Sequence, residues 1–282
     1  MIKHIPVLLN DVMNAIGDIR GQRVIDATFG AGGYTRAFLD AGASVVAFDR
    51  DPNVLPDVQK MQNDFGDKFK FIGRPFSSMS EIDGAFDAIV FDLGISSMQI
   101  DNPARGFSFR ADAPLDMRMS SDGPTVYDMF NKWSDLEIAK ILRDYGDVKP
   151  ATAIARAIKQ NVPRTTFELR DLIHNPRDIA PTFQALRIAT NDEMGEIRRA
   201  LVAVPKLLNV GGRCICVTFH SVEDRIVKTT FRDWTTVNGD PRLPQTTVPQ
   251  FSLIKTKTPD NQEITQNPRA RSAHMRGVVK SY

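Results

Sequence analysis

The stretch VIDATFGAGG, Val24–Gly33, decides the fold. Val24–Phe29 is an apolar run that predicts a short strand, and Gly30-Ala31-Gly32-Gly33 follows it as a turn. Tyr34 to Ala41 then reads as a helix. Glycines at such a strand-to-helix turn let backbone approach a ligand closely and allow unusual φ values. Outward from this unit the alternation continues. Ser44–Phe48 is a second strand ending at Asp49, and Asp51-Pro52 marks a helix start, since Asp can cap and Pro suits the first turn. Phe69–Ile72 is a third strand and Phe86–Phe91 a fourth. Alternation of this kind implies an α/β fold, a parallel sheet with helices on its faces.

After the fourth strand the pattern changes. Val126–Trp133, Leu136–Tyr145, Ala151–Gln160 and Thr166–Ile173 read as short helices, with few strand signals among them. The α/β pattern resumes at Thr182. Phe183, Leu186, Met194, Ile197, Leu201, Val204 and Leu208 mark one face of a long helix that Pro205 should kink or end. Gly211-Gly212 turns into a strand, Arg213–Phe219, and a helix is predicted from Val222 to Trp234. The proline-rich segment Pro241–Pro249 reads as a loop, and Phe251–Lys257 with Ser272–Val279 as a last hairpin. The predicted division is therefore a core of residues 1–102 and 182–282 with a helical insert at 103–181.

Composition narrows the function classes. A chain of 282 residues with 42% apolar and 25% charged residues is ordinary for a soluble globular protein. The net charge of +2 gives no whole-molecule field to draw in nucleic acid, so an RNA partner would need a local basic patch. The tail supplies one candidate: Arg269, Arg271, His274, Arg276 and Lys280, with no acid after Glu263. Cys214 and Cys216 alternate along a predicted strand and read as small buried apolar residues. No segment resembles a membrane span or a signal peptide, which predicts a cytoplasmic protein without a membrane partner.

The run FDLGISSMQIDNPARGFSFRADAPLDMRM, Phe91–Met119, leaves the fourth strand at Asp92 and continues without a clear period. Loops that long are usually functional or disordered. Phe107, Phe109, Leu115, Met117 and Met119 need burial, which argues against disorder. The loop reads as an active-site wall.

Asp49 lies about twenty residues after the glycine loop, where doubly wound folds bind ribose hydroxyls. Thr35 occupies the place of the third glycine of a dinucleotide fingerprint, which disfavours hydride transfer. Asp26, before the loop, would repel phosphates yet suit a ligand bearing an ammonium and a sulfonium; alternatively it satisfies loop amides. Those features favour S-adenosylmethionine. Asp92 can accept from an adenine amino group or from the substrate. Phe76 can stack on adenine or pack in the core.

With these residues in view, the chain resembles the bacterial small-subunit ribosomal RNA cytosine-N4 methyltransferases. The blocks that carry the resemblance are HIPVLL (His4–Leu9), DATFGAGG (Asp26–Gly33), FDRDP (Phe48–Pro52), the long loop, TFQALRIATNDE (Thr182–Glu193), GGRCICVTFHSVEDRIVK (Gly211–Lys228) and NPRARSAHMR (Asn267–Arg276). The resemblance implies a Rossmann-like class I methyltransferase core with an inserted helical domain for substrate recognition. It implies S-adenosyl-L-methionine as cofactor and N4-methylation of a decoding-centre cytidine in 16S ribosomal RNA of the small ribosomal subunit. Cofactor contacts carry over onto Gly32, Gly33, Tyr34, Asp49, Phe76, Asp92 and Gln99. Tyr34 stands where the family usually has His, and Met98 where Pro is common. No metal is implied.

The cytosine amine is a poor nucleophile because its lone pair is delocalised, so alignment is the main catalytic task. An acceptor for an N4 hydrogen would help, and the candidates are Asp92, Ser96 and Ser97, the serines being equally suited to capping loop amides. Ser221 with Asp224 predicts a helix cap, and His220 is placed beside the substrate pocket as a hydrogen-bonding group. Phe107 and Phe109 either stack on the flipped base or pack under the insert. Arg105, Arg110 and Arg118 either meet phosphate or pair with Asp101, Asp112 and Asp116. A DNA amino-methyltransferase and a non-catalytic ribosome-assembly factor with a nucleotide pocket are the alternatives. Monomer and homodimer both stay open.

Overall fold

The structure, a computed structural model, describes residues 6–236 and 248–282. His4 and Ile5 of the first block, and most of the proline-rich segment, lie outside them. The strands are β1 (Arg23–Asp26), β2 (Ser44–Phe48), β3 (Phe69–Ile72), β4 (Phe86–Asp92), β5 (Leu208–Thr218), β6 (Phe251–Lys257) and β7 (His274–Lys280). The helices are α1 (Leu9–Ile16), α2 (Gly33–Asp40), α3 (Leu55–Phe65), α4 (Ser97–Asp101), α5 (Val126–Lys132), α6 (Asp135–Gly146), α7 (Ala151–Asn161), α8 (Thr166–Asp171), α9 (Ile179–Thr190), α10 (Glu193–Leu207), α11 (Ser221–Trp234) and α12 (Asn261–Gln266).

The chain divides into two compact units, Met1–Gly94 with Met194–Tyr282, and Ile95–Glu193. The first holds one seven-stranded sheet of order β3-β2-β1-β4-β5-β7-β6. Strands β1 to β5 run parallel, and β7 lies antiparallel between β5 and β6. The order reverses between β1 and β4, the switch point at which open α/β sheets bind ligands beyond their carboxyl ends. β4 shows why these strands form: Ala88, Ile89, Val90 and Phe91 are all buried, the near-continuous apolar run of a parallel strand covered on both faces. Register places Asp26 opposite Val90 and Asp92 opposite Val217, so the chain leaves β1, β4 and β5 at one sheet edge. Cys214 and Cys216 are free and buried on β5.

The second unit is helical. Leu115, Phe130, Ile138, Leu142, Ile158 and Leu186 sit in its apolar core. Burying each such side chain contributes roughly 1.5–3 kcal/mol. Thr125 with Asp128, and Ser134 with Glu137, form capping boxes at the starts of α5 and α6. Gly106 adopts φ 71°, and a Cβ there would meet the Pro114 carbonyl oxygen at 2.3 Å, so this turn of the long loop needs glycine. Phe107 and Phe109 pack against the helical core, Phe109 edge-on to Phe183 at 5.5 Å. Arg105 donates to the Arg118 and Met119 carbonyls, and Arg118 forms a two-pronged pair with Asp116. Burial works to raise the Asp116 pKa, but its bonds from Arg118 prevail and lower it.

Two expectations need correction. The predicted long helix after Thr182 is two helices, α9 and α10. The chain breaks at Asn191-Asp192, where Asp192 takes φ 48° and the Asn191 side chain bonds the backbone of Met117 and Met119. Helical periodicity runs through the break because both helices bury one face. The helical unit consequently extends to 95–193 rather than 103–181, because α9 belongs to the helical core through Phe183, Ala185 and Leu186. Among the described residues, no helix is long and apolar enough to cross a membrane.

Candidate functional site

The glycine loop is held by two carboxylates. Asp26, at the end of β1 and buried, accepts from the Thr28 amide at 3.1 Å and the Thr35 hydroxyl at 2.6 Å. Burial pushes its pKa up to about 6. Thr35 therefore serves as a donor to Asp26, and Asp26 shapes the loop. Asp49, just past β2, accepts from the Gly30 amide at 2.8 Å through one oxygen and from the Asp51 amide at 2.9 Å through the other. Burial raises its pKa too. Each oxygen keeps a lone pair, so ribose hydroxyls can still donate to it.

Gly32 caps α2 in the left-handed region at φ 76°, and a Cβ there would sit 2.8 Å from Met61 Cε. A Cβ on Gly33 would lie 2.4 Å from Pro6 Cγ. Gly33 is thus required by close packing from the Pro6 ring, and Gly32 by its left-handed φ. Gly30 is different: a Cβ there would meet nothing nearer than the Thr28 oxygen at 4.0 Å, which leaves the loop open on that side. Tyr34 is buried, and its hydroxyl donates to the Val7 carbonyl. Its side chain is committed there, and what Tyr34 can offer a ligand is its backbone N–H in the first turn of α2.

Asp92 ends β4. Its amide donates to Thr28 Oγ1 at 2.7 Å, which ties the tips of β1 and β4 together. Its Oδ1 is buried and has no hydrogen-bond partner among the described residues. Burial first, then the negative charges of Asp26 and Glu223, push its pKa well above the usual carboxylate range. Phe76 lies half-buried with its ring edge-on to Phe91 at 5.7 Å, next to Asp92 in the chain.

Past β5, the α11 cap differs from expectation. His220, not Ser221, is the capping residue, and Glu223, not Asp224, is its partner. Nδ1 of His220 accepts from the Glu223 amide at 3.4 Å, and Oε2 of Glu223 accepts from the Phe219 amide at 2.9 Å and the His220 amide at 3.4 Å. Asp224 is instead held by Arg276 through two bonds of 2.6 and 2.8 Å. Burial works against its ionisation, but this pairing prevails and lowers its pKa. Arg276 is thereby removed from the basic tail available to RNA. Lys280 is removed as well, donating to the carbonyls of Pro205 in the last turn of α10 and Leu208 at the start of β5.

Ser96, Ser97 and Gln99 belong to the helical unit. Ser96 caps α4, accepting from the Gln99 amide, while the Gln99 side-chain oxygen accepts from the Ser96 amide at 3.1 Å. The capping alternative thus describes Ser96. Among the described residues, no group of three metal-binding side chains is arranged to hold an ion.

Two contributors do not stand out in the sequence. Thr28 is inconspicuous inside the glycine block, although a hydroxyl between two strand ends is the signal. Glu223 draws notice in the sequence only as a weak metal-ligand candidate beside His220 and Asp224, although its spacing from His220 already matches a capping box.

Residues 1–281 match the model of the MraW methylase family. The chain belongs to that family. It is 42% identical over 300 residues to Ribosomal RNA small subunit methyltransferase H of Rhizobium meliloti, covering 99% of this chain and 88% of that protein. It is 44% identical to the protein of the same name from Chelativorans sp., covering 99% and 87%. Among solved structures, an rRNA methylase from Streptococcus thermophilus superposes with a TM-score of 0.47 at 15% identity over 100% of this chain and 99% of that one. Family membership makes the α/β unit a Rossmann-like class I methyltransferase core, in keeping with its sheet order.

The loop residues fit S-adenosyl-L-methionine. Asp26, Asp49 and Asp92 surround the loop with carboxylates, a setting that repels a pyrophosphate and attracts a sulfonium and an ammonium. Gly33 and Tyr34 offer backbone N–H groups, whereas the Gly32 N–H is held by the Phe29 carbonyl at 2.7 Å and Gly32 can offer only close backbone approach. Asp49 suits ribose hydroxyls, and the orphan oxygen of Asp92 lacks a donor. When bound, the cofactor supplies an electrophilic methyl group.

Proposed function

We propose that this protein transfers a methyl group from S-adenosyl-L-methionine to N4 of a decoding-centre cytidine in 16S ribosomal RNA, acting on the small ribosomal subunit in the cytoplasm. The observation that carries this reading is the unpartnered, buried Oδ1 of Asp92 at the switch point of the sheet, in a chain of a methylase family. A buried polar atom without a partner costs about 1–3 kcal/mol, and a ligand that donates to it recovers that cost. Asp49 holds the ribose, the glycine loop approaches the cofactor, and the Phe76 ring flanks the adenine. Asp92 accepts a hydrogen from the N4 amine and so localises its lone pair. The base leaves its stack to reach the methyl group, at a cost of a few kcal/mol. The helical unit supplies RNA contacts, the segment around Arg269 and Arg271 offers exposed cations to phosphate, and Ser97 and Gln99 lie in α4 of the helical unit.

The test is mass mapping of nucleosides in 16S RNA after incubation of small subunits with the protein and methyl-labelled cofactor. A single labelled N4-methylcytidine is expected. Label in duplex DNA instead, or cofactor binding by calorimetry without any transfer, would replace this reading with a DNA amino-methyltransferase or an assembly factor.

A further inference from the structure

Three buried atoms at the ends of β4 and β5 lack hydrogen-bond partners among the described residues: Oδ1 of Asp92, Oε1 of Glu223 and Nε2 of His220. Buried polar atoms are nearly always paired, so three in one neighbourhood call for an explanation. Two of them adjoin each other. Oε1 of Glu223 lies 2.9 Å from Nε2 of His220, out of hydrogen-bonding alignment. The same Oε1 would lie 3.6 Å from a Cβ on Gly94, so it faces the turn that follows Asp92. The Glu223 charge also acts on Asp92 directly.

Their chemistry is complementary to one particular edge. Nδ1 of His220 accepts from a backbone amide, so the hydrogen of the neutral ring sits on Nε2, which is a donor. The set is therefore two acceptors and one donor. A cytosine presents two hydrogens on N4 and an acceptor at ring N3. A uracil presents the reverse, an acceptor at O4 and a hydrogen at N3. We propose that Asp92, Glu223 and His220 together read the amino edge of the target base, the two carboxylate oxygens taking the two N4 hydrogens and the His220 Nε2–H donating to N3.

This assignment rests on the methyl-transfer reading above and extends it to base selection. Holding both N4 hydrogens draws the lone pair out of conjugation with the ring. The lone pair forms the new N–C bond, the S–C bond breaks with its electrons left on sulfur, and one N4 proton passes to Asp92. Glu223 retains the other hydrogen. Its second oxygen stays on the α11 cap, which fixes the carboxylate rigidly, as a reading group requires.

The variant Glu223→Gln is nearly isosteric and can keep the cap through its carbonyl oxygen while turning an amide N–H₂ toward the base. The measurement is binding of small-subunit RNA carrying cytidine or uridine at the target position, with S-adenosylhomocysteine present. The wild type should prefer cytidine, and E223Q should lose at least about tenfold of that preference, with S-adenosylhomocysteine affinity unchanged; a site built to hydrogen-bond one edge discriminates strongly. His220→Asn keeps a capping acceptor, removes the Nε2–H, and should narrow the preference likewise; it decides the matter if E223Q does not fold. A cytidine preference that survives in the folded variants overturns the reader and leaves a buried water as its occupant. Failure of the wild type to bind S-adenosylhomocysteine or to methylate would overturn the underlying reading instead.

Discussion

Carboxylates meet two different fates along one edge of the sheet. At the ends of β1 and β2, Asp26 and Asp49 engage both oxygens with the protein, bonding Thr28, Thr35, Gly30 and Asp51. At the ends of β4 and β5, Asp92 and Glu223 each leave a buried oxygen with no hydrogen-bond partner among the described residues, that of Glu223 lying 2.9 Å from His220 Nε2. The first pair builds the loop, and the second pair is built to meet something else. Burial alone does not separate them, since it raises the pKa of Asp26, Asp49 and Asp92 alike. The pattern of hydrogen bonds does.

Replacing Asp92 puts the contrast to its hardest test. Asp92→Ala should lower single-turnover methylation by roughly a thousandfold, the scale of a lost group that acts on the reacting atoms. The fold should persist, with a urea midpoint equal to or above the wild type, because an unpaired buried carboxylate is itself costly. A retained rate would sink the assignment.

Asp26→Ala should do the opposite. It strands the Thr28 amide and the Thr35 hydroxyl, at about 1–3 kcal/mol for an unsatisfied buried group. The loss depends on pH with a definite sign. The Asp26 pKa is raised from 3.8 to about 6 in the folded state, so the fold favours the protonated acid. Its contribution to stability is greatest below 3.8, falls as pH rises toward 6, and is then lower by up to ~3 kcal/mol. Urea unfolding should therefore show a larger deficit for the variant at pH 4.5 than at pH 8. An equal deficit at both would place the Asp26 carboxylate outside the buried network.

A smaller effect joins the two ends of the edge. A cationic ligand favours the ionised forms of Asp26, Asp49 and Asp92, whose pKa values burial has raised. Affinity for S-adenosyl-L-methionine should thus rise with pH through about 6, by roughly tenfold between pH 5 and 7, with protons released on binding. S-adenosylhomocysteine, which lacks the sulfonium charge, should show a shallower slope by calorimetry. Parallel slopes would mean that the carboxylates do not sense that charge.

The same contrast explains what was legible in the sequence. Strands β2 and β3 have the bounds that apolar runs and flanking turns predict, because parallel strands buried on both faces must read that way. The bond that joins Asp49 to the glycine loop at Gly30 follows from a short, local spacing. The α9–α10 break was not, since the Asn191 side chain that stabilises it bonds residues more than seventy positions away in the chain. Glu223 was hidden for a related reason: its charge predicts exposure, and only tertiary packing shows a carboxylate fully buried with one oxygen on a cap and the other without a hydrogen bond among the described residues.

The cations of the tail divide by burial, and the division sets the smallest effect. Arg276 and Lys280 are committed to Asp224 and to the end of α10, whereas Arg269, Arg271 and His274 are exposed. Removing Arg269 and Arg271 together, as Ser, should weaken RNA binding a few-fold at moderate salt. It should also flatten the slope of log affinity against log salt by about 0.7 for each single-strand phosphate left without its cation. Removing Arg276 should lower stability instead, because it leaves Asp224 without its two charge-assisted bonds. Binding measured between low and moderate salt, beside thermal unfolding of both variants, separates the roles. An unchanged salt slope in the double variant would take this segment out of the RNA interface and leave the helical unit as the source of phosphate contacts.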